Sequence, residues 1–566
     1  MASGINVSSL EAVILDTQLV QARCGNIQGK GKCKKWRDLL PLPNVAASKG
    51  LTADLKIQVS YRYVVDRQPI GKKLFERFCS RDPVLNRTVT FLARVGEYIV
   101  AVNEKRGELA ELVFRDFLSD PENIVQGVSA EQAEAVQAKV SDRPCRASLF
   151  EYCRRAAKEF LAGEPFQGFS ESIYFQRYLQ FKWMEKQPIT FKVNFRDYRT
   201  LGKGGFGIVS ACQSKATGKM YAMKKLEKKR VKKHRGEQLA LNEKVILEKL
   251  SSRFVVSLAY AFETKDSLCL VLTLMNGGDL KYHIHHMGRE AGLPEDRAVF
   301  YAAEIACGLR DLHRARVIYR DMKPENILLD DQGHVRISDF GLAEVLSPSK
   351  KSHGRVGTVG YMAPEVVKNE DYTFSADWWG LGAVIYEMMA GQGPFRKPKE
   401  KVSREEVEKR VLETEPPYGD NFSSEAKEIC MRLLDKNPET RLSDFDPLRD
   451  LSFFREINWP HLEAGVATPP FVPDPRSVYC HDVLEIDSFS ATRGVTLGDS
   501  DAEFYRKFCT GCVSEPWQNE LIDMGVFNEL NVFGPDDSPT PDLIEVDPEA
   551  PRPKNGLFSR LKSRLK

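Results

Sequence analysis

No stretch of the 566-residue chain approaches the roughly 18 uninterrupted apolar residues that a membrane-spanning helix needs, so none is expected. A secretory pattern is missing as well. The first basic residue is Arg23, and Asp16 interrupts the short apolar stretch ahead of it. Cysteine is sparse: 12 residues scattered along the whole length make no disulfide framework, and they read as free thiols in the cytosol. An excess of one charge is lacking too. Lys and Arg number 82 against 79 Asp and Glu, which excludes a histone-like polyelectrolyte, and no nucleic-acid partner is expected. The second residue is Ala2 rather than the glycine of N-myristoylation, and Arg564-Leu565-Lys566 is not a prenylation box, so neither lipid is expected. No internal repeat is visible.

What is present divides the chain by periodicity. Leu10 to Ala22 reads as an amphipathic helix. The stretch from Thr17 to Arg37 then carries six basic residues and no acidic one. Residues 50–185 place apolar side chains at helical spacing, as Leu74, Phe75 and Phe78 do, which predicts an all-helical domain. Strand-like runs follow at Phe195–Val209, Met220–Lys224 and Ser267–Leu274, and helical patterns dominate from Leu293 to Phe454. The Pro-rich run 468–475 reads as an extended tether and 500–530 as helical again. Residues 536–549, acidic and Pro-containing, read as disordered, and the last eleven residues are basic and amphipathic.

Chemistry enters at Gly202, Gly204 and Gly207, spaced G-x-G-x-x-G with Val209 two places on. Glycine lets backbone approach phosphates closely, but the pattern alone serves several folds, and no Gly-Lys-Ser/Thr follows to make it a P-loop. Order decides. Lys224 comes seventeen positions after Gly207 and closes Tyr221-Ala-Met-Lys224, a strand ending in a point charge, and Glu243 lies on a helical pattern where it could pair with Lys224. Tyr319-Arg-Asp-Met-Lys-Pro-Glu-Asn326, Ser338-Asp-Phe-Gly341 and Ala363-Pro-Glu365 then complete the signature set of the protein kinases. In that set Asp321 takes the acceptor hydroxyl's proton and Lys323 steadies the transferring phosphoryl and marks Ser/Thr specificity. Asn326 and Asp339 bind Mg²⁺, with ATP as the donor. The nucleotide-binding set is Leu201, Gly202, Gly204, Gly207, Val209, Ala222, Lys224, Glu243, Leu272, main-chain groups of Thr273 and Met275, and Asp279, which could meet ribose, cap the next helix, or do both. Glu365 is expected to pair with Arg441, and Asp377 to hold the catalytic-loop backbone. His283, His285 and His286 lack the carboxylate or cysteine spacing of a metal site, and Cys509-x-x-Cys512 lacks a second pair.

The Tyr-Arg-Asp loop, the run Val356-Gly-Thr-Val-Gly-Tyr-Met-Ala-Pro-Glu365 and the Pro-rich tail resemble the AGC group of Ser/Thr kinases. Asp66-Arg-Gln-Pro-Ile-Gly71, Leu274-Met-Asn-Gly-Gly-Asp-Leu280 and Pro516-Trp-Gln-Asn-Glu520 more narrowly resemble the G-protein-coupled receptor kinases, over nearly the whole chain. The resemblance implies a multidomain protein, a bilobal α+β protein kinase fold inserted into an all-α regulator-of-G-protein-signalling homology domain. Its parts would be residues 1–49, a receptor-docking helix and basic lipid-binding segment; 50–185, the main homology domain; and 195–454, the kinase domain. An AGC extension would follow at 455–499, the homology domain's terminal helices at 500–533, and an acidic linker with a membrane-binding tail at 534–566. The implied activity is phosphorylation of activated receptors, promoting arrestin binding and desensitisation; the alternative is a Gα- or receptor-binding scaffold acting through the homology domain independently of catalysis. Anionic phospholipids such as phosphoinositides, Gα and calmodulin are the further implied partners. The implied location is cytoplasmic, on the inner face of the plasma membrane. The tail is similar to that of the non-visual membrane-tethered subfamily.

Departures sharpen the reading. Phe340 stands where most members carry Leu, and Arg441-Leu-Ser443 where Gly is usual. Cys509 and Thr510 occupy the subfamily's autophosphorylation pair, leaving only Thr510 a hydroxyl of that kind. AGC kinases switched by loop phosphorylation place a Thr three residues before Gly-Thr; here that place, ahead of Gly357-Thr358, is Gly354. The order of the segment is therefore expected to come from receptor docking on the N-terminal helix, with Ser352 as the nearest other phosphosite and Thr358 lining the acceptor site.

Overall fold

Asp82 shows how the helical domain begins its elements. Its carboxylate accepts from the N–H groups of Val84 and Leu85, Pro83 fills the first turn, and the helix Pro83–Val100 follows. Thr88, Phe91, Val95 and Tyr98 recur at three- and four-residue steps and are buried on one face. That face packs with the helices Asn103–Phe117, Ala130–Gln137 and Glu151–Ala162 around Val113, Phe117 and Phe150. A second aromatic nest, Phe75, Phe166 and Phe169, joins the helices Pro69–Cys79 and Glu164–Ser170, with ring centroids 5.3 Å apart for Phe75 and Phe169. The computed structural model describes residues 7–27, 31–46, 58–287, 292–398, 400–479, 492 and 494–544. The basic amphipathic stretch 556–566 lies outside them.

The small lobe follows in β1 (Phe195–Lys203), β2 (Gly207–Ser214), β3 (Met220–Glu227), β4 (Leu258–Glu263) and β5 (Ser267–Thr273), paired antiparallel. Val209, Ala211, Ala222, Lys224, Leu270 and Leu272 come opposite one another in register and so share one face. The opposite face, with Cys212, Tyr221, Met223, Cys269 and Val271, shares a core with Leu74, Tyr178 and Met184 of the helical domain and with Trp517. A sheet covered on both faces loses polar alternation, which is why β4 was not singled out from sequence. The large lobe holds the helices Glu295–Arg314 and Ser375–Ala390, the latter buried almost all round. Its short strands are β6 (Gly278–Asp279), β7 (Val317–Ile318), β8 (Ile327–Leu329), β9 (Val335–Ile337) and β10 (Glu344–Val345).

Three sequence expectations change. Residues 502–512 were assigned to the end of the helical domain, yet the helix Ala502–Phe508 packs on the helix Glu237–Lys249 and on β4. After it β11 (Gly511–Cys512) pairs with β4, so the small-lobe sheet runs β1-β2-β3-β5-β4-β11. An unpaired edge of β4 is thereby covered. The helix Ser514–Asp523 does reach the helical domain and spans both bodies. Gln518 accepts from the Ile70 N–H at 3.0 Å, while Glu520, fully buried, accepts from Tyr221 Oη at 2.6 Å, Tyr260 Oη at 2.5 Å and the Thr217 hydroxyl. Second, residues 535–544 are structured, because buried Arg177 takes Asp542 at 2.7 Å and Arg77 takes Asp537 at 2.6 Å. Third, the N-terminal helix extends over Val7–Ile27 and rests on β1 and β3. Leu19 is buried with Ala211 and Met220, and Asp16 pairs with Arg199.

Candidate active site

The cleft between the lobes is built from the glycine loop downward. Gly204 N–H donates to Gly207 O at 2.8 Å and closes the turn between β1 and β2. A Cβ on Gly207 would lie 1.7 Å from Lys225 O, so this glycine is demanded by the pairing with β3. Gly202 and Gly205 would meet nothing within 4 Å, which leaves their backbone open for a phosphate to approach. Leu201 packs against the Leu19–Ala211–Met220 cluster, so the N-terminal helix touches the residue that opens the loop. Val209 and Ala222 lie on the face that carries Lys224, with Leu272 beside Ala222.

Lys224 is 16% exposed and bridges two carboxylates, Glu243 at 2.7 Å and Asp339 at 3.0 Å. Burial alone would lower the pKa of this ammonium; the two carboxylates outweigh it and raise the value, so the charge is kept. Asp339, beside Lys224, is held below the usual carboxylate range. Its φ of 53° and that of Arg320, 69°, are left-handed, a strained geometry found where side chains must be aimed. Thr273 uses its N–H on Ser257 O at 3.0 Å, so its carbonyl is the main-chain group it can offer an adenine edge. Asp279 caps the helix Leu280–His285 by accepting from Tyr282 N–H at 2.8 Å.

Below the cleft Asp321 is surrounded by donors. Thr358 Oγ1 donates to Oδ1 at 2.6 Å, Lys323 Nζ to Oδ2 at 2.7 Å and Asn326 Nδ2 to Oδ2 at 2.9 Å. Lys323 also donates to Thr358 Oγ1 at 2.9 Å, so one hydroxyl already sits between base and ammonium. Asp377 fixes the loop, accepting from Tyr319 N–H at 2.9 Å and Arg320 N–H at 2.8 Å, and Glu365 takes Arg441 through two bonds of 2.6 and 2.9 Å. Asn326 and Asp339 offer hard oxygen donors that suit a divalent cation. A cation held by Asn326 and Asp339 would take its further ligands from phosphate and water. The residues fit a nucleotide–metal pair.

The three histidines are spent on packing. His283 Nε2 meets Gly277 O at 2.6 Å, its ring stacks on Tyr479 at 5.8 Å, and burial pushes its pKa down to about 4; His285 pairs with Glu387, and His286 stacks on Tyr282. Sequence reading missed what these contacts carry. The tail residues Phe471, Pro473 and Tyr479 cross the segment joining the lobes, where a Cβ on Gly277 would lie 2.8 Å from Pro473 and one on Gly278 2.5 Å from Tyr479 O. Arg23 of the N-terminal helix donates to Ser477 O at 3.1 Å, tying that helix to the tail. No motif signals these contacts, because they join rings and backbone of segments far apart in the sequence.

Comparison with known proteins agrees with this geometry. Residues 195–454 match the protein kinase domain, which implies ATP and a divalent metal, and residues 60–178 match the regulator of G protein signaling domain. The chain is 49% identical to mouse G protein-coupled receptor kinase 4 over 98% of its own length and 96% of the relative's. It is 42% identical to Drosophila melanogaster G protein-coupled receptor kinase 2, with 95% and 94% covered, and 42% identical to rat rhodopsin kinase, with 98% and 99% covered. A kinase cleft joined to a regulator-type helical domain, with relatives of this identity aligned from end to end, places the chain in the G protein-coupled receptor kinase family.

Proposed function

We propose that this kinase transfers the γ-phosphoryl group of ATP to Ser and Thr hydroxyls of activated G-protein-coupled receptors, promoting arrestin binding and desensitisation. The observation that carries the reading is the Asp321–Thr358–Lys323 arrangement, a carboxylate and an ammonium closed on one hydroxyl within 2.9 Å. Asp321 orients the acceptor hydroxyl and takes its proton, and Lys323 balances charge on the oxygen side. Lys224, aimed by Glu243, holds the donor phosphates under the glycine loop. Leu201, Val209, Ala222 and Leu272 wall the base, with the Thr273 carbonyl and the main chain of Met275 on its edge and Asp279 toward ribose. Mg²⁺ held by Asn326 and Asp339 supplies charge neutralisation when bound. Phosphate transfer from ATP to agonist-bound or light-activated receptor, compared with unliganded receptor, tests the proposal; equal labelling of both would overturn the requirement for activation.

The N-terminal helix is the proposed receptor-docking element, supported by Val13 and Ile14, apolar yet 60% and 46% exposed. Membrane attachment, and with it a place on the inner face of the plasma membrane, is assigned to the basic segment Arg23–Arg37 and the amphipathic stretch 556–566, acting on phosphoinositide-type lipids. Those basic clusters also suit calmodulin. The regulator-domain match over 60–178 favours a second activity, Gα binding without catalysis, which a pulldown using the full chain carrying Asp321→Asn tests.

A further inference from the structure

Arg320 precedes the proposed base, and its guanidinium, 11% exposed, reaches forward into the segment that follows Asp339. Nε donates to Leu342 O at 2.7 Å; Nη1 donates to Glu344 Oε2 at 2.8 Å and to Ser352 Oγ at 2.9 Å. Ser352 Oγ donates to the same Glu344 oxygen at 2.9 Å, and Lys350 Nζ to the other at 2.7 Å. A guanidinium this secluded requires an anion, and Glu344 is the acid paired with it among the described residues. In kinases switched by loop phosphorylation that anion arrives as a phosphate three residues before Gly-Thr. Here Gly354 holds the place, with a φ of 100° that suits a turn and no hydroxyl to modify.

We infer that Glu344 is a positioning residue that stands in permanently for an activation-segment phosphate, holding Arg320 so that the segment is ordered without modification. The path from Glu344 to the chemistry is continuous. Glu344 opens β10, which pairs with β7 immediately before Tyr319 and Arg320. Ser352 is clamped by two main-chain bonds to Tyr372, each of 2.9 Å. A Cβ on Gly357 would lie 2.7 Å from Arg320 O, so Arg320 backbone supports the turn that delivers Thr358 to Asp321. Burial raises the Glu344 pKa, but Lys350, Ser352 and Arg320 outweigh it and keep the carboxylate charged. Ser352, the other phosphosite suggested by sequence, is 1% exposed and shares the Glu344 oxygen. A phosphate there would face a carboxylate, so Ser352 is a strut and not a site of modification.

The inference rests on Asp321 as base, and its test separates the two. In the full chain, Glu344→Gln is expected to lower kcat on a soluble peptide about tenfold, the worth of one charge-assisted hydrogen bond, with the KM for ATP within about twofold of wild type. Trypsin should then cut faster than in wild type at Lys350, Lys351 and Arg355, while Glu344→Asp recovers most of kcat. The double variant Arg320→Gln with Glu344→Gln should be no slower than Arg320→Gln alone, the mark of two residues acting as one unit. Wild-type kcat in Glu344→Gln, or losses that multiply in the double variant, overturn the inference. Should Glu344→Gln melt early, Ser352→Ala keeps both charges and their direct pairing and is expected to cost about two- to threefold in kcat, for the loss of the hydroxyl that bridges them; no loss would be equally fatal. Asp321→Asn abolishing transfer while Glu344→Gln retains a tenth distinguishes a base from its support.

Discussion

Asp321 and His283 are both buried polar side chains, each held by its own contacts. Asp321 accepts from Thr358, Lys323 and Asn326. Asp321→Asn keeps the shape and two of the contacts but removes the proton acceptor, so transfer should fall about 10²–10⁴-fold with ATP affinity nearly unchanged. Single-turnover phosphate transfer beside nucleotide titration measures this, and wild-type turnover would refute the assignment. His283 must stay neutral, because its ring is buried beside Arg297 and lends Nε2 to Gly277 O. With a folded pKa of about 4 against an ordinary 6.5, the unfolded chain binds the extra proton first, so stability falls as pH drops from about 6.5 toward 4. The full difference is worth about 3 kcal/mol. Urea denaturation across that range should show the loss in wild type and less of it in His283→Gln; identical slopes would remove His283 from the account. At this scale Asp321, Lys323, Asn326, Asp339, Lys224 and Glu243 were legible as motif members. Glu344 was not, since nothing in its local sequence says which guanidinium it meets.

The helix Ser514–Asp523 is the element on which the two bodies turn. Glu520 enters the small lobe from it with no exposed surface and satisfies three hydroxyls. Glu520→Ala would orphan all three at once, a cost of about 3–5 kcal/mol, and should loosen β3 and β4 from the helical domain. Thermal unfolding should move well below wild type, or split into two transitions; an unchanged single transition would mean the contact is dispensable. Gly207→Ala asks a related question of the sheet. A Cβ 1.7 Å from Lys225 O must part β2 from β3, so both stability and kcat should fall. A variant with full stability but poor ATP binding would instead place the glycine's importance at the phosphate. Element existence was readable wherever one face stays wet, as in Pro69–Cys79. It was not readable for β4 or β11, where burial on both faces or a two-residue pairing leaves no period to detect.

For the molecule as a whole, the N-terminal helix changes the expectation drawn from sequence. Sequence alone suggests that removing residues 1–20 spares phosphorylation of a small peptide. With Leu19 under the sheet and Asp16 on Arg199, that deletion should lower peptide and receptor phosphorylation together. The exposed pair gives the cleaner test: Val13→Ser with Ile14→Ser should cut receptor phosphorylation about tenfold or more while peptide turnover stays within twofold, the loss expected when two apolar anchors leave a docking face. Equal effects on both substrates would make this helix a structural strut. At the other end, replacing Leu557, Phe558, Leu561 and Leu565 with Gln keeps every charge and removes the apolar face. Binding to anionic vesicles should be lost with peptide kinase activity unchanged; sedimentation like wild type would exclude the stretch as the anchor.

The chemistry is readable in chain order, because phosphoryl transfer needs particular side chains at spacings the kinase backbone imposes, and those spacings are local. Apolar periodicity likewise announces a helical body ahead of the kinase. Where distant segments lodge is set by the folded chain. Residues 502–512 close the edge of the small-lobe sheet, Phe471 to Tyr479 cross between the lobes, and Glu344 faces Arg320. Each of these pairings is fixed by main-chain bonds, by ring packing such as His283 against Phe471 and Tyr479, or by the complement of a buried charge. Such partners are chosen by proximity in the folded chain, a quantity that no run of neighbouring residues encodes.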